Sequence, residues 1–261
     1  MGERTSYKPG TFSWADLGTT DVEGAKRFYS DVFGWEPEDM PAGEGQIYTM
    51  CRLRGKYVSA IASQQEQERE MGIPPHWNSY VTVEKADDAA ARARELGGNV
   101  LAEPFDVLTV GRMAVIQDPT GAVLCLWEPR EHIGAELVNE PGAMTWNDLN
   151  TTDPDAAQEF YGGLFGWRTE KLDVPGLDYR IWFNGDRSNG GMAKLGEDMA
   201  GIPPHWVPYF ASDDLGAARS KIEAGGGSVM VGPQEVPQGS FIGCTDPQSA
   251  AFFVFAGEFD D

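Results

Sequence analysis

The chain has 261 residues, of which 41 % are hydrophobic and 23 % charged, and a formal net charge of -21. That length accommodates two domains with separate cores, and the composition is that of a folded globular protein. The acidity is shared by both halves, so the surface repels phosphate backbones and anionic lipid, and neither nucleic acid nor a membrane is expected as a partner.

Residues 1–10 read as an N-terminal arm without an apolar core of the signal-peptide kind. Residues 11–19 alternate as a strand, with Phe12, Trp14 and Asp16 expected on one face and Ser13, Ala15 and Leu17 on the other. Asp21 then caps a helix whose apolar stripe is Ala25, Phe28, Tyr29, Val32 and Phe33, and Gly34 ends it. Extended stretches follow near 46–53 and 56–62, then a polar loop from Ser63 to Glu70. A second unit opens at His76 with a strand to Val83 and a helix from about Asp87 to Leu96. The breaker Gly97-Gly98 precedes strands near 99–102, 112–117 and 122–127. Gly134, Pro141 and Gly142 punctuate a linker placed at 131–142.

Beyond the linker the text repeats. Phe12-Ser13-Trp14-Ala15-Asp16-Leu17 returns as Met144-Thr145-Trp146-Asn147-Asp148-Leu149, Phe33-Gly34-Trp35 as Phe165-Gly166-Trp167, and Gly72-Ile73-Pro74-Pro75-His76-Trp77 as Gly201-Ile202-Pro203-Pro204-His205-Trp206. Asp118-Pro119 returns as Asp246-Pro247. The chain is therefore read as two copies of one domain, 11–130 and 143–261, each built from two strand-helix-three-strand units. The fold class is α+β, with four βαβββ modules in all. In the second copy Asp153 is the helix cap and Pro154 takes the first helical position.

This organisation resembles the vicinal oxygen chelate superfamily of glyoxalase, bleomycin-resistance and extradiol dioxygenase proteins. The resemblance is carried by Phe28-Tyr29 and Phe33-Gly34-Trp35 after the first strand and by Asp118-Pro119-Thr120-Gly121-Ala122-Val123, both recurring in the second copy, where Gln248-Ser249 replaces the glycine turn. It is nearest to two-domain actinobacterial glyoxalase-like proteins, often labelled hydroxylases, some of them accessory to antibiotic pathways. The resemblance implies paired modules forming two cupped mixed sheets around small-molecule cavities. It places metal ligands at Trp14, Asn78 and Cys125, and at Trp146, Val207 and Phe253. Trp, Val and Phe offer no ligand atom, and the whole chain has three histidines, so no metal and no cofactor are expected.

What remains at those strands defines the candidate sites. Asp16 and Asp148, each beside an indole, are the candidate catalytic groups, since partial desolvation suits a carboxylate to accept a proton; the alternative is that each simply satisfies a sheet amide or an arginine. Trp14, Asn78, Tyr80, Arg112 and Trp127 in the first copy, and Trp146, Tyr209 and Phe253 in the second, are the candidate ligand contacts. Arg112 is expected to pair with an acidic ligand or with Asp16. His76 and His205 are read as fastening a rigid Pro-Pro turn, His132 is given no role, and Trp35 and Trp167 are read as packing the helix ends. Three functions are compatible: a metal-independent binder of a hydrophobic or aromatic natural product, an enzyme using Asp16 or Asp148 as general base in a lyase, isomerase or hydroxylase-related step, and an interaction scaffold. Scattered Cys51, Cys125 and Cys244 fit a reducing, cytoplasmic setting, and a fused pair of domains favours a monomer, with a dimer as the alternative.

Overall fold

The computed structural model of the chain describes residues 2–43, 45–174, 177–196, 199 and 201–259. The first domain runs β1 (Phe12–Thr19), α1 (Val22–Phe33), β2 (Glu36–Pro41), β3 (Ile47–Leu53), β4 (Lys56–Ser63), α2 (Glu66–Glu70), β5 (His76–Thr82), α3 (Ala86–Glu95), β6 (Asn99–Val107), β7 (Gly111–Gln117) and β8 (Val123–Pro129). The second runs β9 (Met144–Thr151), α4 (Pro154–Phe165), β10 (Arg168–Val174), β11 (Leu177–Asn184), β12 (Arg187–Lys194), β13 (His205–Ala211), α5 (Leu215–Ala224), β14 (Ser228–Val236), β15 (Gly239–Thr245) and β16 (Ala251–Gly257). Each domain is one eight-stranded mixed sheet, ordered β2-β3-β4-β1-β5-β8-β7-β6 and β10-β11-β12-β9-β13-β16-β15-β14. This is the α+β arrangement of four βαβββ modules that the repeat implies. No helix of the described residues is long and apolar enough to cross a membrane.

The local chemistry explains the elements. The Asp21 carboxylate accepts from the Gly24 amide, and Gly34 closes α1 at φ 74°. Asp153 accepts from the Asp155 and Ala156 amides, and Gly166 closes α4 at φ 73°. Asp118 gathers the amides of Thr120, Gly121 and Ala122, with Gly121 at φ 109°; at the same corner of the second domain Ser249 takes φ 74° and the Gln248 and Ala250 amides bind Asp246. The turn thus survives the loss of its glycine because the aspartate still collects the amides. The Ser63–Glu70 segment is not wholly a loop: Gln65 and Glu68 form a capping box that starts α2.

The helices dock each domain on the other. Phe28, Tyr29 and Phe33 of α1 pack on Phe252 of β16, Phe33 also on Phe210 of β13, and the Tyr29 hydroxyl donates to Asp246 at 3.1 Å. The Trp35 indole donates to the Gly142 carbonyl at 2.7 Å, and that of Trp167 to Gly10 at 2.8 Å. Trp77 and Trp206 donate to Tyr29 and Tyr161, and the Nδ1 atoms of His76 and His205 lie 2.9 Å from the Pro74 and Pro203 carbonyl oxygens. These aromatics, with buried Trp182, belong to the core between the sheets. Aromatic pairs of this kind add about 0.5–1.5 kcal/mol each beyond their burial.

Strict alternation along β1 fails at one point. Phe12 pairs with Val81 and Trp14 with Tyr80, so a bulge at Ser13 turns Phe12 away from Trp14 and onto Trp167 and Trp206 of the second domain. Met144 and Trp146 are separated by the same irregularity.

Candidate functional site

The face of each sheet turned away from the domain interface forms a cup, and an aspartate lies on its floor. In cup 1, Asp16 on β1 is 6 % exposed and is paired in register with Asn78 on β5 and Ala60 on β4. Its Oδ1 accepts from Asn78 Nδ2 at 2.9 Å, and its Oδ2 accepts from the hydroxyls of Tyr80 at 2.7 Å and Tyr48 at 2.8 Å. The Trp14 indole donates to the Tyr48 oxygen at 3.0 Å. Tyr48 stands on β3, two strands from β1, and reaches Asp16 because the sheet curls toward it.

Cup 2 repeats the floor with a different wiring. Asp148, 5 % exposed, accepts on Oδ2 from the Tyr209 hydroxyl at 2.6 Å and on Oδ1 from the Tyr179 hydroxyl at 2.8 Å and the Trp146 indole at 2.9 Å. Val207 takes the place of Asn78 beside the aspartate. Gly191 is its other neighbour in register, and a Cβ there would sit 1.9 Å from the Tyr179 hydroxyl and 2.2 Å from Asp148 Oδ1. The missing side chain is what lets Tyr179 reach Oδ1. In cup 1 the matching residue is Ala60, and Tyr48 goes to Oδ2 instead.

Burial sets the electrostatics. It pushes both aspartates above the ordinary carboxylate range, and the hydrogen bonds from their Asn, Tyr and Trp partners pull the other way without cancelling it. The four phenols are raised in turn, first by burial and then by the adjacent carboxylate charge. A charge-assisted hydrogen bond contributes about 1.5–3 kcal/mol, so three of them offset much of the cost of holding one carboxylate out of water.

The residues expected from sequence therefore separate. Trp14, Asp16, Asn78 and Tyr80 come together in cup 1, and Trp146, Asp148 and Tyr209 in cup 2, where Phe253 stacks on Tyr209 at 4.5 Å. Trp127 also lines cup 1, but its indole N–H donates to the His132 carbonyl at 2.9 Å. Arg112 does not meet Asp16. Its guanidinium pairs with Asp87 and Asp106 at 2.7 and 3.0 Å on the outer surface, because the start of α3 and the β6–β7 hairpin bring those carboxylates to it first. Tyr48 and Tyr179 were not anticipated, although their spacing of 131 residues follows the repeat. His132, given no role, lies edge-on to Trp14 with ring centroids 4.7 Å apart. A groove of about 300 Å³ between the end of α1 and the start of α5 is lined by Phe33, Gly142, Asp214 and Lys221, and neither floor aspartate borders it.

The donor set of the cups does not fit a divalent cation. Each floor offers one carboxylate, already engaged on both oxygens by O–H or N–H donors. Cys125 faces Asp16, burial raises its pKa, and as a lone thiol it has no second soft ligand beside it. No group of three His, Cys, Asp or Glu side chains among the described residues is placed to hold a metal.

Residues 11–126 and 143–252 each match the model of the Glyoxalase/Bleomycin resistance protein/Dioxygenase superfamily. The chain belongs to that superfamily. As a superfamily member it is 42 % identical, over 97 % of both chains, to CFP32 of Mycobacterium tuberculosis, a glyoxylase by name. It is 33 % identical to the anthracycline biosynthesis protein DnrV of Streptomyces peucetius, over 96 % of this chain and 94 % of that one. Among solved structures it shares its fold with a Mn(II)-bound glyoxalase from Novosphingobium aromaticivorans, at a TM-score of 0.68 and 15 % identity over 100 % of this chain and 85 % of that one. The 2,3-dioxygenase LapB from Pseudomonas sp. KL28 gives a TM-score of 0.68 at 14 % identity, over 97 % of this chain and 94 % of that one.

Proposed function

We propose that this superfamily member is a metal-independent binding protein for a hydrophobic or aromatic small molecule, accessory to secondary metabolism. The observation that carries the reading is the cup floor. At positions where the superfamily resemblance calls for metal ligands stand indole, phenyl, thiol and isopropyl groups and one carboxamide, that of Asn78, which donates to Asp16; the one ionisable acid beside them is held by phenols. Such a surface offers flat apolar contacts and a few fixed polar atoms, which is the make-up of a small-molecule pocket. The name of the Streptomyces peucetius relative supports a natural product as the class of ligand.

A second reading has one observation in its favour. Burial raises the pKa of Asp16 and Asp148, as general-base chemistry near neutral pH requires. Against it, both oxygens of each carboxylate are already accepting from donors of the chain. The two readings are separated by titrating the tryptophan fluorescence of the purified protein with a panel of hydroxylated and non-hydroxylated polycyclic aromatics, and by following each compound chromatographically. Saturable quenching with the compound unchanged supports binding. Conversion that disappears in both Asp16→Asn and Asp148→Asn while quenching persists supports catalysis, and absence of any saturable signal removes the first reading.

A further inference from the structure

The two cups share a floor and differ in what covers it. At three matched positions cup 1 is closed: Trp14, Cys125 and Trp127 are 3, 3 and 5 % exposed. Their counterparts Trp146, Phe253 and Phe255 are all half-buried. The cover is the segment after β8. The amides of Arg130 and His132 donate to the Val110 carbonyl, that of Ala135 to Ser13 at 2.7 Å, and that of Glu136 to Tyr57 at 2.7 Å, so this stretch runs across the mouth of cup 1. It lowers the His132 ring among Trp14, Trp127 and Tyr57, at centroid distances of 4.7, 5.8 and 6.4 Å. The N-terminal arm braces the same stretch from outside, through the Glu3–Leu137 bridge and the Tyr7 hydroxyl on the Ala135 carbonyl. Among the described residues no segment crosses cup 2 in this way; Phe259 packs on Phe255 with ring centroids 5.6 Å apart, and the Glu258 amide turns back to Gln238.

The wall of cup 2 is a set of rings. Phe253 lies parallel to Tyr209, 4.5 Å away at 13°, and Phe241 meets both edge-on at 5.7 and 5.8 Å. Below them every donor of the floor points inward, since the hydroxyls of Tyr209 and Tyr179 and the indole of Trp146 all donate to Asp148. What is left for a visitor is acceptors: lone pairs on the Tyr209 oxygen, and the one site remaining when a carboxylate with about four lone-pair positions accepts three hydrogen bonds. A ring entering this cup is stacked by its face and must donate from its edge.

We infer that cup 2 is the ligand cup of this chain and takes a planar hydroxyarene whose hydroxyl donates toward Asp148 and Tyr209, while the linker carrying His132 fills cup 1. This rests on the reading of the protein as a binder of aromatic small molecules and narrows it to one cup and one class of edge. The first measurement is a calorimetric titration of the full chain with 2-hydroxyanthraquinone and its 2-methoxy ether. One site per chain is expected, with the ether bound about tenfold more weakly for want of the donated hydrogen bond. Phe253→Ala should weaken the hydroxyarene by about tenfold or more through lost stacking, whereas Arg94→Ala, which removes an exposed ion pair with Glu103, should leave it unchanged. Two equivalent sites, equal affinity for the ether, or undiminished affinity in Phe253→Ala overturns the inference.

The second measurement needs no ligand. Amide hydrogen exchange at His132, Ala135 and Glu136 should be as slow as in β1, and rapid exchange there contradicts a closed cup 1. If other members of the aromatic panel bind saturably and the hydroxyarene does not, the inference falls and the proposed function stands. If the whole panel is silent, both fall.

Discussion

Gly191 is the position at which the wiring of cup 2 is most exposed to a single atom. Its backbone is in a region open to any residue, so Gly191→Ala adds only a Cβ, and that Cβ would stand 1.9 Å from the Tyr179 hydroxyl and 2.2 Å from Asp148 Oδ1. Neither distance is tolerable, so Tyr179 must leave Oδ1. The carboxylate then loses one of three donors, a hydrogen bond to a charged group that contributes about 1.5–3 kcal/mol. Ala60 in cup 1 shows the escape route: there the phenol of Tyr48 goes to Oδ2. If Tyr179 copies it, the cost falls to the lower end of that range. For a chain of this size the melting temperature should drop by roughly 3–6 °C. The check is thermal and urea denaturation of Gly191→Ala, Tyr179→Phe and the double variant. The reasoning requires the cost of Gly191→Ala to shrink in the Tyr179→Phe background by about the contribution of the hydrogen bond, while the part set by Asp148 Oδ1 at 2.2 Å and the ring carbon at 2.5 Å persists. A Gly191→Ala chain as stable as the wild type, or a cost undiminished without the hydroxyl, refutes it.

Three further outcomes follow from the same geometry. Burial raises the folded-state pKa of Asp148 above 3.8, so the folded chain holds that proton more tightly and stability falls as pH rises from the unfolded value to the folded one. Asp148→Asn lacks this fall, and its stability relative to wild type should improve as pH rises above 3.8; a flat difference in denaturation midpoints contradicts the assignment. His132 has the opposite sign: burial lowers it from 6.5 to about 4, so the unfolded chain takes up the proton first and wild-type stability is lost as pH falls through that window. His132→Phe should remove that component of the acid sensitivity, read from urea midpoints at pH 7 and pH 5. Arg112→Ala should leave binding of any aromatic probe unaltered, since its partners Asp87 and Asp106 lie outside both cups, and a loss of affinity would show that the ion pair reaches the site.

The modules were legible because duplicated residues carry them: Asp21 and Asp153 as caps, Gly34 and Gly166 as stops, and Asp118 and Asp246 as turn anchors are local chemistry written twice. The Trp-x-Asp strand, Tyr80 and Tyr209 were legible as the inner face for the same reason. Phe12 was misplaced because a bulge shifts a strand's alternation without any residue that announces it. Arg112 was misassigned because a cation's partner is set by which carboxylates the tertiary fold brings near, here Asp87 and Asp106 from separate elements. Tyr48 and Tyr179 reach the floor from two strands away, across a curl in the sheet that periodicity does not encode. The same holds for His132, whose place depends on where the linker crosses, not on its neighbours in sequence.

The most direct test of the central claim is a calorimetric titration of chelator-treated protein with 2-hydroxyanthraquinone, with and without added manganese or zinc. The account predicts saturable binding at one site per chain, with the same affinity in the presence of chelator and of either metal. Binding that appears only when a metal is restored would contradict it.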